Sequence, residues 1–478
     1  MKKVLVAGAA LMLAGGIATT ANAAAKVEPG VKITGDARVR MYYVDSNRGQ
    51  NFGNNDAIGS QFDMDSRIRL NFTGTTASGV YAKTRFRIYE SRMEPHHGDS
   101  NDLAAGITSN SGGIWVDMAY VGIPFTDNFT LEIGKYRSTY GPLANSYNFF
   151  YDDVVSTGFR GIIKFDNVTI NPFFEWAVEA QNKNAAAAAA AGSSIDALDR
   201  QEDNDVYRFG VHVKAKVHKD WTLGGMAGYQ IDNRNELYDA AGVKEWENND
   251  GFFGSIYVNG KYENFGLVGE LAVTNSGLNN WNGWEVNPYS KAAGTNRIGS
   301  KDTGWGGYIF PNYQIDKLNL GLNIGFTKDG YMPDLAFGDG VLLGSTDNSV
   351  ISQIRVGDAG DWFWGGLVAS YQIREDLKLT GNFFYANIDA WDSKGQFGDG
   401  PNTSARGIVP VNYQLENAWT ISAILQYTLS KGTDIYFSAG YLKPSFDEDA
   451  RREKFPGVTR DLEDDGVFAA ATRLEIKF

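Results

Sequence analysis

The sequence contains no cysteine, and it has only four histidines and twelve prolines among its 478 residues. Without cysteine, an exported chain has no disulfide framework. The histidines, at positions 96, 97, 212 and 218, have no third histidine at metal-ligand spacing and no nucleophile motif beside them. We therefore expect no metal, no cofactor and no enzymatic activity.

Long hydrophobic runs are also scarce, because the chain has a single one at its N-terminus. Met1–Lys3 is short and positive, Val4–Ala18 is apolar, and Ala21–Ala23 fits the small-residue pattern of a cleavage site. We expect residues 1–23 to be a signal peptide and residues 24–478 to form one exported domain. The rest of the sequence has no apolar stretch of helical length, which excludes a helical membrane protein.

The charge balance is negative and the aromatic content is high. The formal net charge is -13, which disfavours nucleic acid as a partner. Aromatic residues make up 13% of the chain, although the mean hydropathy is -0.31. Because no disulfides are available, stability has to come from another source, and a large hydrogen-bonded sheet is one.

Alternation of apolar and polar residues dominates from Val31 onward. Segments 31–45, 61–74 and 79–92 each place apolar residues on one parity and charged residues on the other. This period of two predicts strands with one apolar and one very polar face. A soluble sandwich also alternates, so the connections between strands have to decide.

Short turns and long polar connections follow one another strictly along the chain, which is typical of hairpins with all tight turns at one end. We predict an all-β fold, a transmembrane antiparallel up-and-down β-barrel with short periplasmic turns and long extracellular loops. The expected number of strands is about 18, with 16 as the alternative if the weak segment 158–165 belongs to a loop.

The polar parity of the first three predicted strands is strongly basic, and closure of the barrel brings the last strand beside it. The residues concerned are Lys32, Arg38, Arg40, Arg67, Arg69, Lys83, Arg85, Arg87, Arg473 and Lys477. A water-filled lumen can host these charges, whereas a soluble core cannot bury so many unpaired. They either pair among themselves and keep the lumen wet, or form a positive wall that attracts anions.

The third long loop, KYRSTYGPLANSYNFFYDDVVSTGFRG, is unusually aromatic for a loop in free solvent. We predict that it folds into the lumen, with an outside loop packed on its neighbours as the alternative. Its candidate constriction residues are Lys135, Arg137, Tyr140, Asp152 and Asp153.

The signal peptide, the alternating strands, the loop after strand five and the last strand, TRLEIKF, together resemble the Gram-negative outer-membrane porins. The resemblance spans the mature chain. It implies that the third loop narrows the pore and that Asp152 and Asp153 face the basic cluster. It also implies that Phe478 is the terminal signal read by the barrel-assembly machinery.

The same resemblance implies a location in the outer membrane, contact with its lipids and lipopolysaccharide, and a homotrimer. The implied function is passive diffusion of small hydrophilic solutes and ions, with selectivity set by the basic wall and the third loop. The alternatives are a channel that prefers anions or small organic acids, and a structural sleeve for another outer-membrane protein.

Overall fold

The computed structural model describes a β-sheet protein whose long connections are only partly covered. The described residues are 28–45, 49–50, 57–58, 61–92, 114–143, 149–151, 154–178, 206–232, 250–275, 303–328, 331, 360–390, 415–446 and 466–478. These residues contain no helix that is long and apolar enough to cross a membrane.

Eighteen long strands form one antiparallel sheet in which sequence neighbours pair. They are β1 Gly30–Asp45, β2 Gln61–Thr75, β3 Tyr81–Arg92, β4 Trp115–Thr126, β5 Phe129–Ser138, β6 Val154–Lys164, β7 Val168–Val178, β8 Val206–His218, β9 Trp221–Asp232, β10 Gly251–Tyr262, β11 Phe265–Asn275, β12 Thr303–Ile315, β13 Leu318–Lys328, β14 Gly360–Arg374, β15 Leu377–Ala390, β16 Leu415–Ser430, β17 Thr433–Phe446 and β18 Val467–Lys477. A two-residue pairing of Gly49–Gln50 with Ala57–Ile58 lies between β1 and β2.

The sheet closes on itself where β18 pairs with β1, with Asp36 opposite Lys477. At this seam the amide of Gly35 donates to the carbonyl of Phe478 at 2.7 Å, and the amide of Phe478 donates to the carbonyl of Gly35 at 3.0 Å. Closure matters because lipid offers no partner to the backbone groups of an open edge. The predicted closed barrel is confirmed, and its strand number is eighteen.

The two faces of the wall differ as the alternation predicts. On β1, Arg38 and Arg40 are each 5% exposed, whereas Val39 and Met41 between and beside them are 36% and 39% exposed. Since successive side chains of a strand point to opposite faces, the arginines face inward and the apolar residues outward. An apolar outer face and a polar inner face are typical of a barrel that spans a lipid bilayer.

Segment 158–165, the weak point of the strand prediction, belongs to a complete strand. β6 begins at Val154, four residues earlier than the sequence indicates, and its first residue pairs with Ser138 of β5. Ser156 faces inward there and donates to a carboxylate oxygen of Glu175 at 2.9 Å. This inward hydrogen bond helps to hold the start of β6 in the sheet. Because β6 is a complete strand paired with β5, the sixteen-strand alternative is excluded.

The densest packing lies inside the barrel. The largest fully buried side chains include Tyr136, Tyr151, Phe149, Phe173 and Trp364. Two of these, Phe149 and Tyr151, belong to the third long loop, between β5 and β6. The described residues of the third loop therefore pack inside the barrel.

Candidate functional site

Seven inward arginines on four adjacent strands form what we call the arginine wall. Its members are Arg38 and Arg40 of β1, Arg67 and Arg69 of β2, Arg85 and Arg87 of β3, and Arg473 of β18. Direct cross-strand pairing places Arg38 opposite Arg67 and Arg40 opposite Arg473. The barrel scaffold thus holds like charges side by side, which requires carboxylates or water between them.

Carboxylates of the wall itself lie between these arginines. Arg40 binds Asp65 in a two-point contact, with Nε 2.8 Å from Oδ1 and Nη2 2.7 Å from Oδ2. Arg69 Nε lies 2.9 Å from Asp36 Oδ2, and Arg67 Nη2 lies 3.4 Å from Asp36 Oδ1. Fork-shaped contacts of this kind fix both partners in position.

Asp117 is a further partner, and a β-bulge aims it inward. The register between β3 and β4 shifts so that Arg85 pairs with Met118 and Phe86 with Val116, leaving Asp117 as the extra residue. Its carboxylate bonds to Arg85 and lies 3.1 Å from Nε of Arg87. Asp117 was missed in the sequence analysis because bulges are not visible in an alternating pattern.

The arginine wall concentrates guanidinium groups on one side of the lumen. Among the described residues, four carboxylates lie between its seven arginines, those of Asp36, Asp65, Asp117 and Glu475, the last of which is 3.6 Å from Arg473. Positively charged groups that line a lumen raise the local concentration of anions.

Two other predicted basic residues, Lys83 and Lys135, lie on opposite faces of the barrel wall. Lys83 faces inward, with Nζ 5.5 Å and 5.9 Å from the ring centres of Tyr81 and Tyr120. Lys135 lies on β5, on the parity of outward Ile133, and its Nζ donates to the carbonyl of Val116 at 3.2 Å. Lys135 therefore lies away from the arginine wall.

Arg137, also on β5, accepts a 3.2 Å hydrogen bond at its carbonyl from Nη1 of Arg160. Arg160, inward on β6, forms a salt bridge of 2.6 Å with Glu132 of β5. Asp152 and Asp153, the predicted acidic partners of the basic wall, lie outside the described residues. The partners that the structure does describe are carboxylates of the wall.

The described part of the third loop is deeply buried. Tyr140 is 4% exposed, Phe149 and Phe150 are each 1% exposed, and Tyr151 is 0% exposed. Tyr140 and Tyr151 are joined by a 2.9 Å hydrogen bond between the amide of the first and the carbonyl of the second. This bond draws the two ends of the loop together.

Inward aromatic side chains of four strands receive the loop, and we call them the aromatic wall: Phe173 of β7, Phe253 of β10, Tyr308 of β12 and Trp364 of β14. The ring of Phe149 lies 5.5 Å from that of Tyr308 and 6.0 Å from that of Trp364. In an eighteen-stranded barrel, β14 lies nine strands from β5, which carries the loop. Phe149 therefore lies on the side of the lumen opposite β5.

Two buried carboxylates hold the loop in this position. Glu270 of β11, 3% exposed, accepts a 2.8 Å hydrogen bond from the amide of Phe149. Glu175 of β7, 0% exposed, accepts hydrogen bonds from the hydroxyls of Tyr151 and Ser156. We call Glu175 and Glu270 the loop anchors. A buried acceptor that is satisfied in this way is costly to remove.

Two tyrosine hydroxyls of the loop remain protonated at neutral pH. Burial, together with the nearby carboxylate of Glu175, raises the pKa of Tyr140 to about 12. Burial and Glu175 also raise the pKa of Tyr151 well above its ordinary value. The Tyr151 hydroxyl can therefore donate to Glu175 over the whole physiological range.

Glycines of the wall make room for the loop. A Cβ added at Gly306 on β12 would lie 2.6 Å from Cδ1 of Tyr331 and 3.1 Å from Cε1 of Phe149. The Tyr331 hydroxyl in turn donates to the carbonyl of Phe149 at 3.2 Å. The glycine at position 306 thus permits the close approach of the loop, a role that its sequence pattern leaves open.

His212, on the inward face of β8, belongs to the same packed region. Its Nε2 lies 2.9 Å from the hydroxyl of Tyr257, and the ring of Tyr140 lies 4.6 Å from its own. Within the described ranges, no group of three or more histidine, aspartate or glutamate side chains is arranged to hold a metal ion. The histidine therefore packs against the loop.

The sequence model of a family described as Gram-negative porin matches residues 7–390 of the chain. The chain belongs to the Gram-negative porins. This membership places the porin in the outer membrane as a channel protein, in agreement with its closed barrel. A search of curated proteins gives no match.

Several solved outer-membrane proteins are similar to this porin at low sequence identity. OprD of Pseudomonas aeruginosa is 12% identical, with a TM-score of 0.47, and the match covers 96% of the porin and 98% of OprD. OccK11 (OpdR) of the same organism is 11% identical, with a TM-score of 0.48 and coverages of 93% and 96%. The trimer form of OmpT from Vibrio cholerae is 10% identical, with a TM-score of 0.39 and coverages of 95% and 100%. Family membership rests on the family model and not on these likenesses.

Proposed function

We propose that this porin is a water-filled channel for passive diffusion of small hydrophilic solutes and ions, without enzymatic activity. The observation that carries the proposal is the division of the lumen. The arginine wall gathers seven guanidinium groups on one side, and the described part of the third loop packs against the aromatic wall. Charge then selects among solutes, and the loop limits their size.

Anions are the favoured ions in this proposal. A solute anion that approaches the arginine wall exchanges some of its water for guanidinium donors, which are rigid forks suited to carboxylate and phosphate oxygens. Because the arginines already share wall carboxylates, each contact with a solute is weak enough to break again. Weak contacts in series allow passage, whereas one strong site would trap the solute. Small organic acids are therefore the substrate class that this wall fits best.

The test is a planar-bilayer recording with a potassium chloride gradient. We expect single-channel currents whose reversal potential has the same sign as the equilibrium potential of chloride. A reversal potential on the potassium side would contradict the anion preference, and an absence of channels would contradict the diffusion function. Hydrolysis of lipid or ester substrates by the pure barrel would contradict the non-enzymatic assignment.

We also propose that the porin forms a homotrimer within the lipid and lipopolysaccharide of the outer membrane. Small outward residues are direct cross-strand partners over five adjacent strands, from Ala369 through Gly381, Ala423 and Ala439 to Ala470. Such a row lets the backbones of two barrels approach closely. We expect Ala423→Trp to convert trimers to monomers in native electrophoresis. Ala227→Trp, on the outward face of β9, should leave the trimers intact.

The proposed reader of Phe478 is the barrel-assembly machinery. The side chain of Phe478 is 60% exposed on the outward side of the seam, so another protein can reach it. We expect Phe478→Ser to lower the amount of folded barrel in the outer membrane, measured as the heat-modifiable band on gels. Unchanged assembly would show that the signal lies elsewhere.

A further inference from the structure

A row of uncharged polar side chains crosses the inward face of β12–β15, on the periplasmic side of the aromatic wall. Its members are Gln314, Asn319, Ser370 and Thr380, one on each strand, and we call them the amide row. They are direct cross-strand partners, because Gln314 pairs with Asn319, Asn319 with Ser370, and Ser370 with Thr380. The barrel therefore places four hydrogen-bonding groups in a continuous row along the lumen wall.

The side chains of the amide row bind one another and still have hydrogen-bonding capacity. Asn319 Nδ2 donates to Gln314 Oε1 at 3.2 Å, and the hydroxyls of Ser370 and Thr380 lie 2.9 Å apart. Gln314 Nε2 also donates to the carbonyl of Asp316 at 2.5 Å, and Asn319 Nδ2 to Oδ1 of Asn312 at 3.5 Å. A side-chain amide has two donor hydrogens and two acceptor lone pairs, so these contacts use only part of what is present. Gln314, Asn319 and Ser370 are also partly exposed, so a solute in the lumen can reach them.

The same chemistry continues toward the next strand. Ser422 of β16 donates to Asn382 of β15 at 2.6 Å, and these two are also cross-strand partners. The row differs from the arginine wall, where every member is charged. A surface that offers donors and acceptors without net charge gives an ion no electrostatic advantage over a neutral solute.

We propose that the amide row is a binding track for neutral polyhydroxylated solutes, such as sugars or sugar alcohols, as they pass through the barrel. Neighbouring strands are about 4.8 Å apart, which sets the spacing of the row and suits alternate hydroxyl groups along a polyol. Each neutral hydrogen bond contributes little net free energy, because water competes for the same groups. Such a track retards a polyol without trapping it. The inference rests on the proposed diffusion function.

The experiment is a titration of the potassium chloride current through single channels with sorbitol. The test variant is Asn319→Leu with Ser370→Ala and Thr380→Val, which keeps side-chain size and removes the polar atoms. Binding of sorbitol in the channel adds noise to the current. We expect the sorbitol concentration that gives half of the maximal added noise to rise about tenfold in this variant, because several neutral hydrogen bonds are lost. The matched control is Asn71→Leu with Thr73→Val, on the inward face of β2. Its sorbitol titration should be the same as that of the unchanged porin.

The outcomes separate this inference from the diffusion function. An unchanged sorbitol titration in the test variant, with a normal potassium chloride current, would overturn the amide row as a track. Retardation by gluconate and not by sorbitol would also overturn it, because the binding would then depend on charge. A purified barrel that passes no current at all would overturn both the track and the diffusion function.

Discussion

The arginine wall and the aromatic wall are built on the same barrel, yet they differ in how their sequence relates to their structure. On β1, charged and apolar residues alternate, because one face meets water and the other lipid. On β14, Trp362, Phe363 and Trp364 follow one another, with the two tryptophans buried inside and Phe363 59% exposed outside. Alternation is lost there because the loop gives the inward face an apolar partner.

Under the proposed function, the difference means that charge selection and size selection reside in separate parts of the lumen. The arginine wall is made of residues close in sequence on neighbouring strands, held by carboxylates of the same strands. The loop side depends on contacts between residues more than a hundred positions apart, such as Phe149 with Glu270. Changes to one part should therefore leave the other largely intact.

The largest expected effect comes from removal of the loop. We expect deletion of Ala144–Asp153 to raise the single-channel conductance severalfold, because the loop residues that pack inside the barrel are gone. The anion preference should fall less than the conductance rises. The control is deletion of Ala185–Ala191, from the connection between β7 and β8, which should leave the conductance as it was. An equal conductance in both deletions would show that the narrowest part of the lumen is not formed by the third loop.

We expect a smaller rise in single-channel conductance when one loop anchor is removed. Glu270→Leu leaves the amide of Phe149 without this acceptor, which costs about 1–3 kcal/mol of docking free energy. We expect larger current noise and a higher mean conductance, measured in planar bilayers. Glu270→Gln retains an acceptor oxygen and should lie near the unchanged porin. A conductance of Glu270→Leu equal to that of the unchanged porin would show that Glu270 is not what holds the loop.

Crowding of the site where Phe149 packs should also raise the conductance, but by less than the loss of a loop anchor. In Gly306→Ala, the new methyl group would lie 2.6 Å from Cδ1 of Tyr331, 2.9 Å from the carbonyl oxygen of Phe326 and 3.1 Å from Cε1 of Phe149, so the rings and the neighbouring strand have to shift. We expect a modest rise in conductance and no change in reversal potential. Gly365→Ala, outward on β14 with open space around it, is the matched control. A shift in reversal potential in Gly306→Ala would mean that the two parts are coupled.

Salt concentration should produce the smallest effect, and it should act only on charge selection. The Debye length falls from about 10 Å at 0.1 M to about 3 Å at 1 M salt, so the field of the arginine wall reaches less of the lumen. We expect the anion preference to shrink as both solutions are made more concentrated at a fixed ratio. A preference that is independent of salt would indicate direct binding in place of a diffuse field.

The sequence predicts the barrel and the arginine wall well, for the same physical reason. Alternation is a local property, and Arg38, Arg67 and Arg85 share the polar parity of strands whose other face is plainly apolar. The partners Asp36 and Asp65 are visible in the same way. Asp117 is not, because the bulge that turns it inward depends on how β3 and β4 pair.

The loop side was predicted only in outline. The aromatic density of the loop predicts burial in the lumen, but nothing local indicates which strands receive it. Glu270 shares its parity with Val268 and Ala272, both buried, so the pattern of β11 does not reveal which face is the lumen. The loop anchors therefore become visible only when the folded loop lies beside them.

The measurement that tests the account most directly is the reversal potential of a variant with Arg67, Arg69, Arg85 and Arg87 replaced by glutamine. The control replaces Lys219, Lys317, Arg374 and Lys431, on the short turns, in the same way. The account predicts a reversal potential that moves to the potassium side only in the first variant, because Asp36 and Asp117 lose their arginine partners inside the lumen. An unchanged reversal potential in the first variant, or an equal shift in both, would contradict the arginine wall as the selective element.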